Sequence, residues 1–161
     1  MFRHASKIGL VALVITTLFQ VDARLIAQAN AADPLIGDWV MDRSKSTFPG
    51  NAPEWRNMKF EKTPMGIRHT VNSMVGEVVQ KLVYTFQVDG KDYPADVQMA
   101  VNTVAFKKVD ANTYERSGKY QGSVTETVKY TLSNGGKTLT SEQFLSTNPD
   151  APNSVQVFDK K

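Results

Sequence analysis

The sequence of 161 residues contains no cysteine. This absence excludes disulfide bonds, thiol catalysis and thiolate metal sites, so the fold must depend on packing alone. Histidine is nearly as scarce: the chain has two, and only His69 lies beyond the N-terminal segment. One histidine without cysteine cannot form an HExxH pair or a histidine-rich zinc site. We therefore expect no metal and no cofactor.

Sequence motifs of enzymes are also absent. No G-x-S-x-G segment accompanies His69, and no glycine-rich loop opens a helix to hold a nucleotide phosphate. Asp89, Asp92 and Asp96 lie in one segment, but their spacing does not match a calcium-binding loop, which favours a solvated turn. His69 alternates with apolar residues in "GIRHTV", which favours an interior histidine over a catalytic base. We expect no catalytic residues and no enzymatic activity.

Long runs of positive charge are missing as well, since no Lys/Arg run exceeds two residues. The formal net charge of the whole chain is +3, from 19 basic and 16 acidic residues. The first 31 residues contain three basic residues and one acidic residue, so the net charge of the remainder is +1. We therefore expect neither a nucleic acid nor an anionic membrane surface as a partner.

The N-terminal segment has the pattern of a secretory signal peptide. Two basic residues precede an apolar run over residues 8–19, and small residues follow. The run is shorter than the 20 or so apolar residues that span a bilayer. We predict a signal peptide over residues 1–31, cleaved after Ala31, and export to the periplasm or the medium. Cleavage after Ala23 and an uncleaved N-terminal anchor are the alternatives.

From Gly37 onward, short runs of strand-forming residues alternate with turn signals such as "DG" and "NGG". In "KLVYTFQV" apolar and polar residues alternate, as in an antiparallel sheet with one buried face. The predicted strands cover residues 37–42, 55–62, 66–73, 78–88, 101–109, 113–120, 124–132, 137–145 and 154–159. Residues 44–54 and 89–100 are predicted as long loops. Residues 32–161 are therefore expected to form one all-β domain, an antiparallel up-and-down β-barrel of about eight to nine strands, because closure removes exposed strand edges.

An ordered set of motifs carries a family resemblance. They are "GDW" at residues 37–39, "KSTF" at 45–48, "DGKDYP" at 89–94, "VDANTYE" at 109–115 and "GGKTLT" at 135–140. The set resembles the calycin superfamily of lipocalins and fatty-acid-binding proteins, and in particular bacterial exported lipocalin-like proteins of uncharacterised function. The resemblance implies a lipocalin-like barrel that begins at Gly37 and that Trp39 closes at one end. It also implies a basic side chain packed over Trp39, for which Lys160 and Lys161 are the candidates.

One predicted hairpin places charged and aromatic residues on the same face. With a three-residue connection over residues 121–123, Gly118 faces Glu126 and Arg116 faces Val128. The residues on the presumed inner face are then Tyr114, Arg116, Tyr120, Glu126, Val128 and Tyr130. Arg116 and Glu126 form a diagonal pair, and a buried arginine needs a partner. That partner is either Glu126 or a ligand carboxylate, whereas a register shift of one residue would send both charges outward.

Tyr84 and His69 join these residues as candidate ligand contacts on neighbouring inner faces. Two functions follow from the predicted barrel. In the first, an exported protein holds a small apolar or amphipathic ligand in a cavity. In the second, a filled barrel is a non-catalytic structural or interaction module of the cell envelope. The interior volume distinguishes the two, because the predicted inward residues are bulky.

Overall fold

Ten antiparallel strands account for most of the residues that the structure describes. The computed structural model describes residues 33–95 and 101–161, which belong to one compact unit. The strands are β1 (Gly37–Thr47), β2 (Trp55–Thr63), β3 (Gly66–Val75), β4 (Val78–Phe86), β5 (Asp92–Pro94), β6 (Thr103–Lys108), β7 (Thr113–Tyr120), β8 (Ser123–Ser133), β9 (Thr138–Leu145) and β10 (Ser154–Lys160). The predicted signal peptide lies outside the described residues. No helix in the two described ranges has the length and apolar character needed to cross a membrane.

The strands form a single sheet in the order β4-β3-β2-β1-β10-β9-β8-β7-β6-β5. Strands that follow one another in the sequence pair, except β4 and β5, and the first strand, β1, also pairs with the last, β10. This order confirms the predicted all-β up-and-down barrel. It has one strand more than expected, because Asp92–Pro94 pairs with β6 inside the segment predicted as a loop. Three residues are too few to show the alternation that reveals a strand.

The barrel is nearly closed. Within the described residues, no ladder joins β4 to β5 or β6. Side chains close the gap instead: the rings of Phe86 on β4 and Phe106 on β6 stack with their centroids 3.8 Å apart. The backbone N–H of Gly90 donates to the carbonyl of Phe106 at 2.8 Å. β4 and the segment that follows it are thus held against β6 without a strand ladder between them.

Buried rings form a layer across the barrel interior. The ring of Phe60 stacks on that of His69 at 4.1 Å, and Phe106 stacks on Tyr130 at 5.8 Å. The members of this aromatic layer are Phe60, His69, Tyr84, Phe86, Phe106 and Tyr130. Offset and edge-to-face ring pairs add to the stability that burial of their apolar area provides. The ring contacts hold the side chains of this aromatic layer in fixed positions.

Trp39 lies at one end of the barrel and is fully buried. Its indole Nε1 donates to the carbonyl of Leu35 at 3.0 Å. The Nζ of Lys160 lies 5.0 Å from the ring centroid and donates to the carbonyl of Pro34 at 2.8 Å. The structure therefore places Lys160, and not Lys161, over the tryptophan.

Gly37 explains the spacing of the Gly-x-Trp motif. A Cβ atom at this position would lie 2.4 Å from Cε of Lys160, and the φ angle of Gly37 is +148°. The φ angle strongly favours glycine, and a larger residue would also displace the end of the Lys160 side chain. The glycine lets Lys160 pass close to β1 and reach the indole two residues later.

The β7–β8 hairpin corrects one sequence prediction. Its turn has two residues, Gln121 and Gly122, with φ angles of 50° and 83°, rather than the predicted three-residue connection. Positive φ at both positions is the geometry of a tight hairpin turn. Tyr120 therefore pairs with Ser123 and is 43% exposed, so its predicted inward position is wrong.

The predicted register is nevertheless kept deeper in the same hairpin. A bulge shifts the pairing next to Gly118, so that Gly118 faces Glu126 and Arg116 faces Val128. A bulge adds one residue to one strand and so offsets the shorter turn. Both charged side chains consequently point into the barrel, where Arg116 is 5% and Glu126 is 9% exposed.

Candidate functional site

A cavity of about 910 Å³ opens inside the barrel. Its volume lies within the range of small-molecule sites, about 300–1,000 Å³. The apolar residues that line it are Met58, Val71, Leu82, Val101, Val128 and Leu145; the polar, charged and aromatic ones are Arg56, His69, Ser73, Gln80, Lys81, Tyr84, Arg116, Glu126, Tyr130, Ser141, Gln143 and Gln156. The bulky inward residues therefore fill the interior only in part.

The aromatic layer borders the cavity. His69, Tyr84 and Tyr130 contribute to its lining, whereas the three phenylalanines of the layer and Trp39 do not. The rings thus separate the cavity from the end of the barrel that Trp39 occupies. Beside them, Val71 and Leu82 pair across β3 and β4 and give this part of the wall an apolar surface.

Arg116 and Glu126 form a buried ion pair in the cavity wall. Nη2 of Arg116 bonds to Oε1 of Glu126, and the two side chains are 6% and 12% exposed. Gly118 makes room for the carboxylate, since a Cβ atom there would lie 2.8 Å from Cγ of Glu126. Burial acts to lower the pKa of the Arg116 guanidinium, but the tyrosine oxygens of the aromatic layer and Glu126 outweigh it and hold the pKa above its usual value.

A relay of hydrogen bonds extends from this ion pair across the inner wall. Arg56 Nη1 donates to Oε1 of Gln156 at 2.6 Å, and Nε2 of Gln156 donates to Oγ of Ser154 at 3.3 Å. Ser154 donates to Oε1 of Gln143 at 3.3 Å, and Nε2 of Gln143 donates to Glu126. Every donor in the relay points toward Glu126. Two arginines therefore share one carboxylate, one directly and one through three neutral side chains.

Arg56 was not among the residues that the sequence indicated. Its guanidinium is largely buried, and burial lowers its pKa from the ordinary value. Within residues 33–95 and 101–161, no carboxylate forms an ion pair with it. A signal was present: Arg56 precedes the inward residues Met58 and Phe60 at the two-residue period of a strand.

His69 and Tyr84 form a second polar pair at the border of the cavity. Nδ1 of His69 lies 2.8 Å from the Tyr84 hydroxyl. Burial, with the positive charge of Arg116 adding to it, lowers the pKa of His69 to about 3, so the imidazole is neutral. Burial raises the pKa of the Tyr84 hydroxyl and outweighs the positive charge of Arg116 near its oxygen, which acts to lower it. This charge favours a hydroxyl whose hydrogen points away from Arg116, so we assign Tyr84 as the donor to Nδ1 of His69; the ring proton is then on Nε2, which is an N–H donor.

Three buried donors in the cavity wall have no hydrogen-bond partner among the described residues. They are Nε of Arg56, Nε of Arg116 and Nε2 of His69. The two guanidinium nitrogens can only donate, and the tautomer assigned above makes His69 a donor as well. Unpaired buried donors are costly and rare in folded proteins. The wall is thus suited to a group rich in acceptor oxygens.

The sequence candidates divide into two groups. His69, Tyr84, Arg116, Glu126 and Tyr130 meet at the cavity. Tyr114 and Tyr120 do not line it, so the predicted set of ligand contacts is corrected by removing these two tyrosines.

Tyr114 is buried away from the cavity, and its hydroxyl donates to Oδ1 of Asp33 at 2.5 Å. Burial and this carboxylate raise the pKa of the Tyr114 hydroxyl. Its place in strand alternation is inward, as predicted. Its contacts show that it ties the start of the domain to β7 rather than facing the cavity.

Comparison with known proteins gives likenesses to solved structures but no sequence family. No protein-family model matches the chain, and no curated protein matches it. Among solved structures, the N57Q mutant of the fluorescent protein UnaG is similar with a TM-score of 0.49 and 13% sequence identity. The match covers 78% of this chain and 94% of that chain. Neither the identity nor the TM-score is high enough to transfer a ligand or an activity, so the fold assignment rests on the strand order described above.

Proposed function

We propose that this protein binds a small amphipathic molecule with an acidic group in its barrel cavity and that it performs no catalysis. The observation that carries the proposal is the set of three buried donors without partners in the wall of a cavity of about 910 Å³. A carboxylate or sulfonate supplies the acceptor oxygens that this wall lacks.

The charges of the wall support an anionic ligand. A partly buried guanidinium, of Arg56, and a buried one, of Arg116, share the wall with one buried carboxylate, of Glu126. Lys81, which is exposed at the opening, adds a further positive charge. The apolar wall on β3 and β4 offers a surface for the rest of the molecule, because burial of apolar area supplies most of the binding free energy of such ligands.

We also propose that the protein is exported. The charged N-terminus, the apolar run and the small residues of the first 31 positions support this. N-terminal sequencing of the protein from its native source should begin at Ala32, or at Arg24 if the earlier site is used. A protein that still begins at Met1 or Phe2 would contradict export with cleavage.

A titration with fluorescent dyes tests binding in the cavity. Anilinonaphthalene sulfonate should brighten when it binds the folded protein, and palmitate should displace it. Val128→Trp places a large ring in the cavity and should abolish both effects. Val83→Trp is the matched control, since Val83 lies on the outer face of β4, is 45% exposed and does not line the cavity.

The outcomes separate the two functions that the sequence suggested. Loss of binding in Val128→Trp alone supports the cavity, provided that the melting temperature shows a folded protein. Equal binding by Val128→Trp and the wild type would place the dye on the surface and contradict the proposal. If Val128→Trp does not fold, Leu82→Trp fills the same cavity from β4. A folded wild type that binds neither dye nor palmitate would favour a structural or interaction module.

A further inference from the structure

We propose that Arg56, rather than Arg116, holds the acidic group of the ligand. This inference rests on the proposed function and goes beyond it by assigning the anionic subsite and the orientation of the ligand. It replaces the expectation from the sequence, in which a ligand carboxylate would pair with Arg116.

Arg116 already has its counter-charge. Its guanidinium bonds directly to Glu126, and both side chains are at least 88% buried. The oxygens of Tyr84 and Tyr130 also interact favourably with the charge of this guanidinium. A ligand carboxylate at this point would have to compete with Glu126 and would bring two negative groups together in a buried site.

Arg56 has no such counter-charge in the described part of the chain. Its Nη1 bonds to the neutral amide of Gln156, and its Nε is buried without a partner. The relay that leads to Glu126 passes only through neutral side chains. A buried cation without a counter-ion is unfavourable, and an anion from outside removes this cost.

The surroundings of Arg56 give the ligand a direction. Arg56 lines a second, smaller cavity of about 270 Å³ next to the segment between β1 and β2. The smaller cavity shares Arg56, Gln80, Gln143 and Gln156 with the barrel cavity. Arg56 therefore stands where the two spaces meet. The ligand is an amphipathic anion whose acidic group lies beside Arg56 and Gln156 and whose apolar part extends toward Val71 and Leu82.

Two dyes of nearly the same shape test this assignment. Anilinonaphthalene sulfonate carries a sulfonate, and N-phenylnaphthylamine lacks it. Arg56→Gln should weaken binding of the sulfonate dye by about tenfold or more and leave the neutral dye nearly unchanged, since a charge-assisted contact is lost only for the former. Arg68→Gln is the matched control, because Arg68 lies on the exposed face of β3 and pairs with Glu61.

Stability gives a second, independent readout. Arg56→Gln removes a partly buried charge that has no counter-ion among the described residues, so the ligand-free variant should melt at the same temperature as the wild type or higher. If Arg56 were purely structural, its replacement would instead lower the melting temperature.

Palmitate and its methyl ester repeat the comparison of the charged and the neutral dye with a carboxylate in place of the sulfonate. The ester should compete equally with the neutral dye in the wild type and in Arg56→Gln.

The results distinguish this inference from the proposed function. If the dyes bind and Arg56→Gln weakens both equally, or neither, the assignment to Arg56 is wrong while binding in the cavity stands. If sulfate at millimolar concentration displaces the sulfonate dye as well as palmitate does, the subsite accepts any anion and the amphipathic ligand is wrong. If neither dye binds the folded wild type, the proposed function itself fails.

Discussion

Removal of Arg116 should be strongly destabilising, because it leaves Glu126 as a buried charge. In Arg116→Ala, the amide of Gln143 is the one hydrogen-bond partner that the carboxylate of Glu126 keeps within residues 33–95 and 101–161. The Glu126 side chain is 12% exposed, so water replaces little of the lost contact. Breaking a buried pair from one side costs about 3–5 kcal/mol. For a domain of this size, that corresponds to a fall in melting temperature of roughly 11–18 °C.

Urea unfolding followed by far-ultraviolet circular dichroism measures this loss. The double variant Arg116→Leu with Glu126→Leu should recover much of it, because two apolar side chains replace two charges together. Lys107→Ala is a suitable control: it breaks the pair between Lys107 and Glu115, whose side chains are 58% and 32% exposed, and should change stability little. A single variant as stable as the wild type, or a double variant no better than the single one, would refute the buried-pair argument.

Two further predictions concern Trp39 and His69. Trp39→Ala removes a fully buried indole and should lower the free energy of unfolding by about 3–5 kcal/mol in urea, whereas an unchanged midpoint would show that Trp39 does not close the barrel. Burial lowers the pKa of His69 from 6.5 to about 3, so the unfolded chain binds a proton between these pH values that the folded protein does not bind. Stability should therefore fall as the pH falls, with His69 contributing a loss of about 2 kcal/mol between pH 7 and pH 5. His69→Gln should lack this contribution, and an identical pH dependence in variant and wild type would contradict a buried neutral imidazole.

Local pattern alone predicted most of the fold. Alternation in segments such as β4 and β8 depends on one buried and one exposed face, and this is visible in a single strand. β5 was not predicted, because three residues are too few to show the alternation of a strand. The two-residue turn at Gln121 and Gly122 was not predicted, because a bulge next to Gly118 gives the rest of the hairpin the register expected for a three-residue turn. Neither the bulge nor the outward position of Tyr120 can be read from one strand alone.

The site was only partly predictable. Arg116 and Glu126 lie on one hairpin, so turn length and alternation sufficed to bring them together. Arg56 carried the same signal of alternation on β2, but a charged residue at the start of a strand does not stand out as inward. The relay through Gln143, Ser154 and Gln156 runs over consecutive strands, but its bond from Gln156 to Arg56 joins strands that are far apart in the sequence. Its formation depends on the register across the β1–β10 closure, which no local pattern contains.

Native mass spectrometry tests directly whether the barrel cavity binds an acidic amphipathic molecule. The protein should be purified from the cells that make it, and its mass should be recorded before and after incubation with palmitate. We expect the mass of the chain with one bound anionic amphipathic molecule, either co-purified or acquired on incubation. Val128→Trp should show only the mass of the chain itself. A folded wild type that shows only its own mass under both conditions would contradict the claim that the barrel cavity binds a ligand.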